Sequence, residues 1–139
     1  MIIMSVDYGD VRTGIAVCDK LEILASPVCT VKEWNQDKLI DRIIELASSH
    51  KVELFVVGLP KNMDSTLGSR AEKCMEFAAA LSEKSGIPYE MRDERLTTVS
   101  AATALNDTNV RGAKRKDSID QVSAVLILQD YLDSKKLKA

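Results

Sequence analysis

The apolar residues of this chain change period near residue 35, and that change limits the possible fold more than any other feature. Before it, short β-branched stretches follow one another with little between them. Ile2 to Val6 is a compact apolar run and predicts a buried strand. Asp7-Tyr8-Gly9-Asp10 is a turn, Thr13 to Asp19 is β-rich again, and Leu21 to Lys32 predicts a third strand. Pro27 predicts that this third strand is an edge or carries a bulge, because proline cannot donate to a ladder. Connections this short fit an antiparallel meander, since parallel pairing needs a longer crossover.

After residue 35 the period becomes helical. Ile40, Ile43, Ile44 and Ala47 share one helix face, with Asn35 as the N-cap. Leu54 to Val57 predicts a buried strand ended by Gly58-Leu59-Pro60, and Lys61 to Ser65 a polar loop. Leu67, Ala71, Cys74, Ala78 and Leu81 then mark a long amphipathic helix, stopped by Gly86 and Pro88. Tyr89 to Arg92 predicts a short strand, and Thr97 or Thr98 can cap a helix running to about Asn106. Asp107 to Lys116 is polar, basic and without apolar period, and reads as a mobile loop. A final helix is predicted from near Asp117 to about Ser134, apolar almost all round from Val122 to Leu128 and therefore packed deeply. The order βββ-α-β-α-β-α-α predicts an α/β fold: a mixed sheet with helices on its faces. The 139 residues fit a single domain, with no repeat and no linker between domains.

Composition excludes several functions. Lys and Arg number 19 against 21 Asp and Glu, so the chain does not coat nucleic acid by bulk charge; phosphate binding must come from local clusters. Three cysteines, none spaced as C-x-x-C, and the single His50 argue against a zinc site, a disulfide framework, or a Ser-His-Asp or Cys-His machine. Buried, reduced thiols and the lack of a leader or a membrane-length apolar run predict a cytoplasmic protein. Aromatic residues make up 4% of the chain, too few to suggest a base-stacking platform.

The chemistry must then rest on carboxylates. Asp7 closes the first strand on the face of Ile3 and Ser5; its other reading is a turn cap. Asp93 and Glu94 follow the short strand after Pro88, and strand alternation sends only one of them to any one cleft. The other reading there is a solvated turn ion-paired to Arg92 or Arg95. Asp120, Ala124, Ile127 and Tyr131 form one stripe of the last helix, so Asp120 should point inward at its start. Asp117 and Asp120 also suit helix capping, with Asp117 the more exposed. Should Asp7, Glu94 and Asp120 converge, their repulsion requires cations, and hard oxygen donors suit Mg²⁺ or Mn²⁺. Two such ions can activate water and stabilise the leaving oxygen of a phosphodiester. Arg12, Arg95, Lys61 and the run Arg111, Lys114, Arg115 and Lys116 flank these acids and could hold a nucleic-acid backbone, or be a solvated charge run.

Four stretches together resemble the YqgF family: Asp7 to Val17, Val56 to Asp64, Asp93 to Thr98, and Ile119 to Leu128. These are bacterial ribonuclease H-like proteins described as Holliday junction resolvases and as pre-16S ribosomal RNA nucleases. The resemblance implies a ribonuclease H-like fold with a mixed five-stranded sheet, three antiparallel strands then two parallel, and helices on both faces. It implies metal-binding, catalytic roles for Asp7, Glu94 and Asp120, and a hydrolase acting on structured nucleic acid. RNA is the favoured substrate, in maturing the 5′ end of the small-subunit ribosomal RNA. Branched DNA, and a non-catalytic ribosome-assembly or nucleic-acid-binding role, are the alternatives. Asp7-x-Gly9 also resembles the first phosphate loop of actin-like ATPases, but those need two such domains. Lys61 and Ser65 depart from the family pattern, which bears on the substrate contacts assigned to Lys61 and Asn62 and not on the metal site. Either a monomer or a homodimer is compatible; symmetrical junction cutting would need a dimer.

Overall fold

The computed structural model describes residues 1–60, 68–93 and the helical backbone of 112–138, with side chains of that last stretch described for 121–135. Five strands form one sheet: β1 (Ile3–Asp7), β2 (Arg12–Cys18), β3 (Ala25–Lys32), β4 (Leu54–Leu59) and β5 (Tyr89–Asp93). Their order is β3-β2-β1-β4-β5. The β1–β2 and β2–β3 pairs are antiparallel, and β4 lies parallel to both β1 and β5. This is the mixed sheet expected from the sequence. β3 is an edge strand, and its register slips so that Ile15 faces Cys29 and Ala16 faces Pro27, the irregularity that Pro27 foretold.

Among the described residues three helices cover the sheet: α1 (Gln36–His50), α2 (Ser69–Ser85) and α3 (Gly112–Lys138). Strand alternation divides the core in two. Met4, Val6, Ile15, Phe55 and Val57 face Leu39, Ile40 and Ile43 of α1 and Phe77, Ala78 and Leu81 of α2. Ile3, Ala16, Leu54 and Val56 face Ala124, Ile127, Leu128 and Leu132 of α3. Each fully buried Ile, Leu or Phe contributes roughly 1.5–3 kcal/mol, so the two layers lock α3 and the α1–α2 pair to opposite faces.

The helix ends follow their sequence signals. Asn35 caps α1, its side-chain oxygen accepting from the Lys38 amide at 3.0 Å. Gly86 ends α2 in the left-handed conformation at φ 76°, which costs glycine no Cβ clash.

Two boundaries depart from expectation. β3 begins at Ala25, not Leu21. The Asp19 carboxylate accepts from the amides of Ile23 (2.8 Å) and Leu24 (3.2 Å), and Glu22 sits at φ 57°, so this segment turns before it can extend. The last helix begins at Gly112, not near Asp117, and runs to Lys138. Lys114, Arg115 and Lys116 are thus helical and not in a loop: Ala, Lys and Arg are strong helix formers and need no apolar face to extend a helix already anchored downstream. The helix expected from Thr97 or Thr98 to Asn106 lies outside the described residues. Cys18 and Cys74 are buried and Cys29 half-buried, and none of the three is in a disulfide. Among the described residues no helix is long and apolar enough to cross a membrane.

Candidate active site

Asp7 is the last residue of β1 and lies opposite Gly14 of β2. It is half-buried and shares the sheet face of Ile3 and Ser5, the face that α3 covers. The placement of α3 over it is fixed by a buried bond: Ser5 Oγ donates to the Ala124 carbonyl at 2.6 Å. Farther along, the Gln129 side chain accepts from the Ala25 amide and donates to the Ile23 carbonyl, both at 3.0 Å, and Lys135 pairs with Glu22 at 2.6 Å. Those partners lie at the end of the sheet where β1 begins. α3 therefore runs antiparallel to β1, and its earlier turns lie toward the end where Asp7 stands. Asp120 precedes Ala124 by one helical turn.

β5 supplies the third side of this edge. Glu90 accepts from the Tyr131 hydroxyl, and Arg92 pairs with Asp130 through two nitrogens, each at 2.8 Å. Burial, then the bond to Glu90, holds the Tyr131 hydroxyl far above its ordinary range. Glu90 and Arg92 thus face α3, while Met91 packs with the α1–α2 layer. Arg92, considered from sequence as a partner for the Asp93-Glu94 turn, is engaged with Asp130 of α3.

The turn after Asp7 is tied down from several sides. The Thr13 hydroxyl, fully buried, accepts from the Gly9 amide at 3.3 Å. Arg70, near the start of α2, donates to the Asp10 carboxylate at 2.7 Å and to the Tyr8 carbonyl at 2.5 Å. Its guanidinium also lies 5.2 Å from the centre of the Tyr8 ring, which stacks at 4.2 Å on Phe77 of α2. Burial raises the Tyr8 hydroxyl above its ordinary value, with Arg70 opposing.

Of the basic residues expected at the site, Arg12 opens β2 beside Lys32 of β3, beyond Asp7 at the same sheet edge. Lys114, Arg115 and Lys116 occupy the first turns of α3, with side chains outside the described set. Lys61, Asn62, Glu94, Arg95 and Arg111 lie outside the described residues, as does the side chain of Asp120. Among the described residues no three His, Cys, Asp or Glu side chains gather where a metal could be held. An open groove of about 530 Å³ between β3 and α1, lined by Lys38, Asp41, Arg42 and Glu45 among others, does not include Asp7.

The family model described as "RuvX: Holliday junction resolvase" matches residues 1–134. The chain belongs to the RuvX family. A relative from Lachnospira eligens is 44% identical over 139 residues, covering 98% of this chain and 99% of its own, and is named "Putative pre-16S rRNA nuclease". One from Thermoanaerobacter pseudethanolicus, named alike, is 43% identical over 139 residues, covering 99% of this chain and 100% of its own. Among solved structures, Thermus thermophilus RuvC in complex with a Holliday junction substrate superposes with a TM-score of 0.63 at 14% identity, covering 100% of this chain and 98% of that one. The fowlpox virus resolvase with substrate Holliday junction DNA gives 0.59 at 15% identity, covering 97% and 99%. These likenesses show the ribonuclease H-like fold that the resemblance to the YqgF family implied.

Within this RuvX fold the sequence placed Asp7 at a strand end and missed Arg70. Arg70 acts across 60 positions, which no local pattern reports. One signal was available: a cation in the first turn of a helix opposes the helix dipole, and so asks for an anion elsewhere in the fold.

Proposed function

We propose that the protein is a divalent-metal-dependent nuclease in which Asp7, Glu94 and Asp120 form the catalytic, metal-holding carboxylate set, acting on the 5′ end of pre-16S ribosomal RNA. The observation that carries this reading is the Ser5–Ala124 bond. Together with the Gln129 and Lys135 contacts where β1 begins, it sets α3 antiparallel to β1 on the Asp7 face, so the earlier turns of α3 run toward the carboxylate end of that strand. Glu94 follows β5 directly in the chain, and Glu90 and Arg92 of that strand face α3. Asp7, a half-buried oxygen donor at a sheet edge, fits a hard cation, whereas Cys18, Cys74 and His50 lie elsewhere. Bound Mg²⁺ or Mn²⁺ would supply a nucleophilic water near neutral pH and offset charge on the leaving oxygen. Arg12, Lys61, Asn62, Arg95, Arg111 and the cations of early α3 would bind the nucleic-acid backbone and orient it across that edge. RNA is favoured by the names of the relatives at 44% and 43% identity.

The test is cleavage of a pre-16S RNA fragment and of a four-way DNA junction by wild type and Asp7→Asn, with Mg²⁺ present. Loss of at least 100-fold in kcat is expected for the variant, the order seen when a main electrostatic contributor to catalysis is removed. Undiminished cleavage would take Asp7 out of the mechanism. Branched DNA is the second reading, favoured by the junction-bound RuvC and fowlpox resolvase folds; preference for the junction, together with a dimer in sedimentation, would select it. RNA binding by wild type without any turnover would select a non-catalytic role in ribosome assembly.

A further inference from the structure

We propose that Arg70 is a positioning residue for Asp7, clamping the β1–β2 turn from the sheet face opposite the candidate metal site. The inference rests on the nuclease reading and adds a residue that carries no ligand role. Consecutive strand residues point to opposite faces, so Asp7 faces α3 while Tyr8 packs on the α1–α2 layer. An anchor on Tyr8 therefore fixes the backbone beside Asp7 without occupying the Asp7 side of the sheet. Arg70 provides that anchor with both ends of its fork: one nitrogen on the Tyr8 carbonyl at 2.5 Å, the other on Asp10 at 2.7 Å. Its plane also lies 5.2 Å from the Tyr8 ring centre, and that ring rests on Phe77 of the same helix.

The geometry explains an arginine where the helix dipole disfavours one. Asp10 is exposed, with 73% of its side-chain surface open, so its ion pair alone would contribute little to stability. The combination is directional: a planar fork holds a carbonyl and a carboxylate at once, which a lysine ammonium cannot reproduce. Releasing the turn would spread Asp7 over several orientations. The fraction able to hold an ion would fall, and apparent metal affinity with it.

Arg70→Ala, Arg70→Lys and Asp10→Ala are compared with wild type by calorimetric Mn²⁺ titration and by amide exchange of Gly9 in the metal-free protein. Arg70→Ala is expected to weaken Mn²⁺ binding about 10-fold, as loss of supporting contacts around a metal site does, and to speed Gly9 exchange. Arg70→Lys should fall between it and wild type. On RNA, kcat per folded molecule should drop with KM unchanged, and raised Mn²⁺ should restore it, which it would not do for a general loss of structure. Wild-type affinity and Gly9 exchange in a folded Arg70→Ala protein would overturn the proposal. If that variant does not fold, Asp10→Ala, which removes only the exposed arm, decides: faster Gly9 exchange with weaker Mn²⁺ binding supports the clamp, and wild-type values of both refute it. Wild type showing no Asp7-dependent Mn²⁺ binding would sink the nuclease reading instead; Gly9 exchange would then decide the clamp by itself.

Discussion

Gly9 has no room for a side chain. A Cβ built there would lie 1.9 Å from the Arg12 carbonyl oxygen, a backbone atom that cannot move without unwinding the start of β2. Gly9→Ala is therefore expected to destabilise the protein by about 1–3 kcal/mol, the range for forced overpacking, and to lower cleavage by displacing Asp7 two residues away. Urea unfolding beside the cleavage assay checks both; an unchanged midpoint would mean the turn accommodates the methyl at no cost. At this scale the sequence disclosed what obeys local rules. Asp7 at a strand end, Asn35 as a cap and Gly86 as a stop are each set by neighbours in the chain. Arg70, Ser5 and Thr13 were silent, because each derives its role from a partner that only the fold supplies.

The elements show where local pattern loses to long-range contact. Four strands and two helices followed the sequence pattern, since an apolar period is the imprint of a buried face. The start of β3 was misread because the Asp19 side chain captures two amides and turns the chain first. The start of α3 departs from the sequence reading because Ala113 to Lys116 has no apolar period, while its helix propensity is high. The β2–β3 connection is bound in turn to α3: Lys135, then the amino terminus, holds the Glu22 carboxyl below its ordinary value of 4.5. A carboxyl so depressed binds fewer protons folded than unfolded. Its stabilising contribution is present above that ordinary value and is lost as pH falls through the lower folded one. Lys135→Ala should therefore lower stability at neutral pH and flatten the acid limb of the stability curve. The effect should be modest, because the pair is partly exposed. Urea midpoints at neutral pH and at about pH 3 measure it, and parallel curves for variant and wild type would refute it.

Across the whole molecule, a chain with 19 cationic and 21 acidic side chains must bind a polyanion by arrangement and not by total charge. The proposed site offers a means: it would gather acids at one sheet edge and flank them with cations from separate segments. Arg12 stands at the open end of β2, and Lys114, Arg115 and Lys116 in the first turns of the helix that packs on the Ser5 face of the sheet. If those three helical cations contact phosphates, each contributes about −0.7 to the slope of log affinity against log salt on single strands and about −0.9 on duplex. Replacing all three with glutamine should then make the slope shallower by about 2–3 and weaken RNA binding across sequences, while kcat at saturating RNA stays near wild type. Fluorescence anisotropy over a range of potassium chloride concentrations measures the slope. A triple variant with the wild-type slope would place the phosphate path away from the start of α3. A variant with normal slope and lost kcat would instead give the start of α3 a part in the chemistry itself. The distinction matters because Asp120 lies on the same stretch of helix: one element would carry both the electrostatic guide for the substrate and a carboxylate that acts on it.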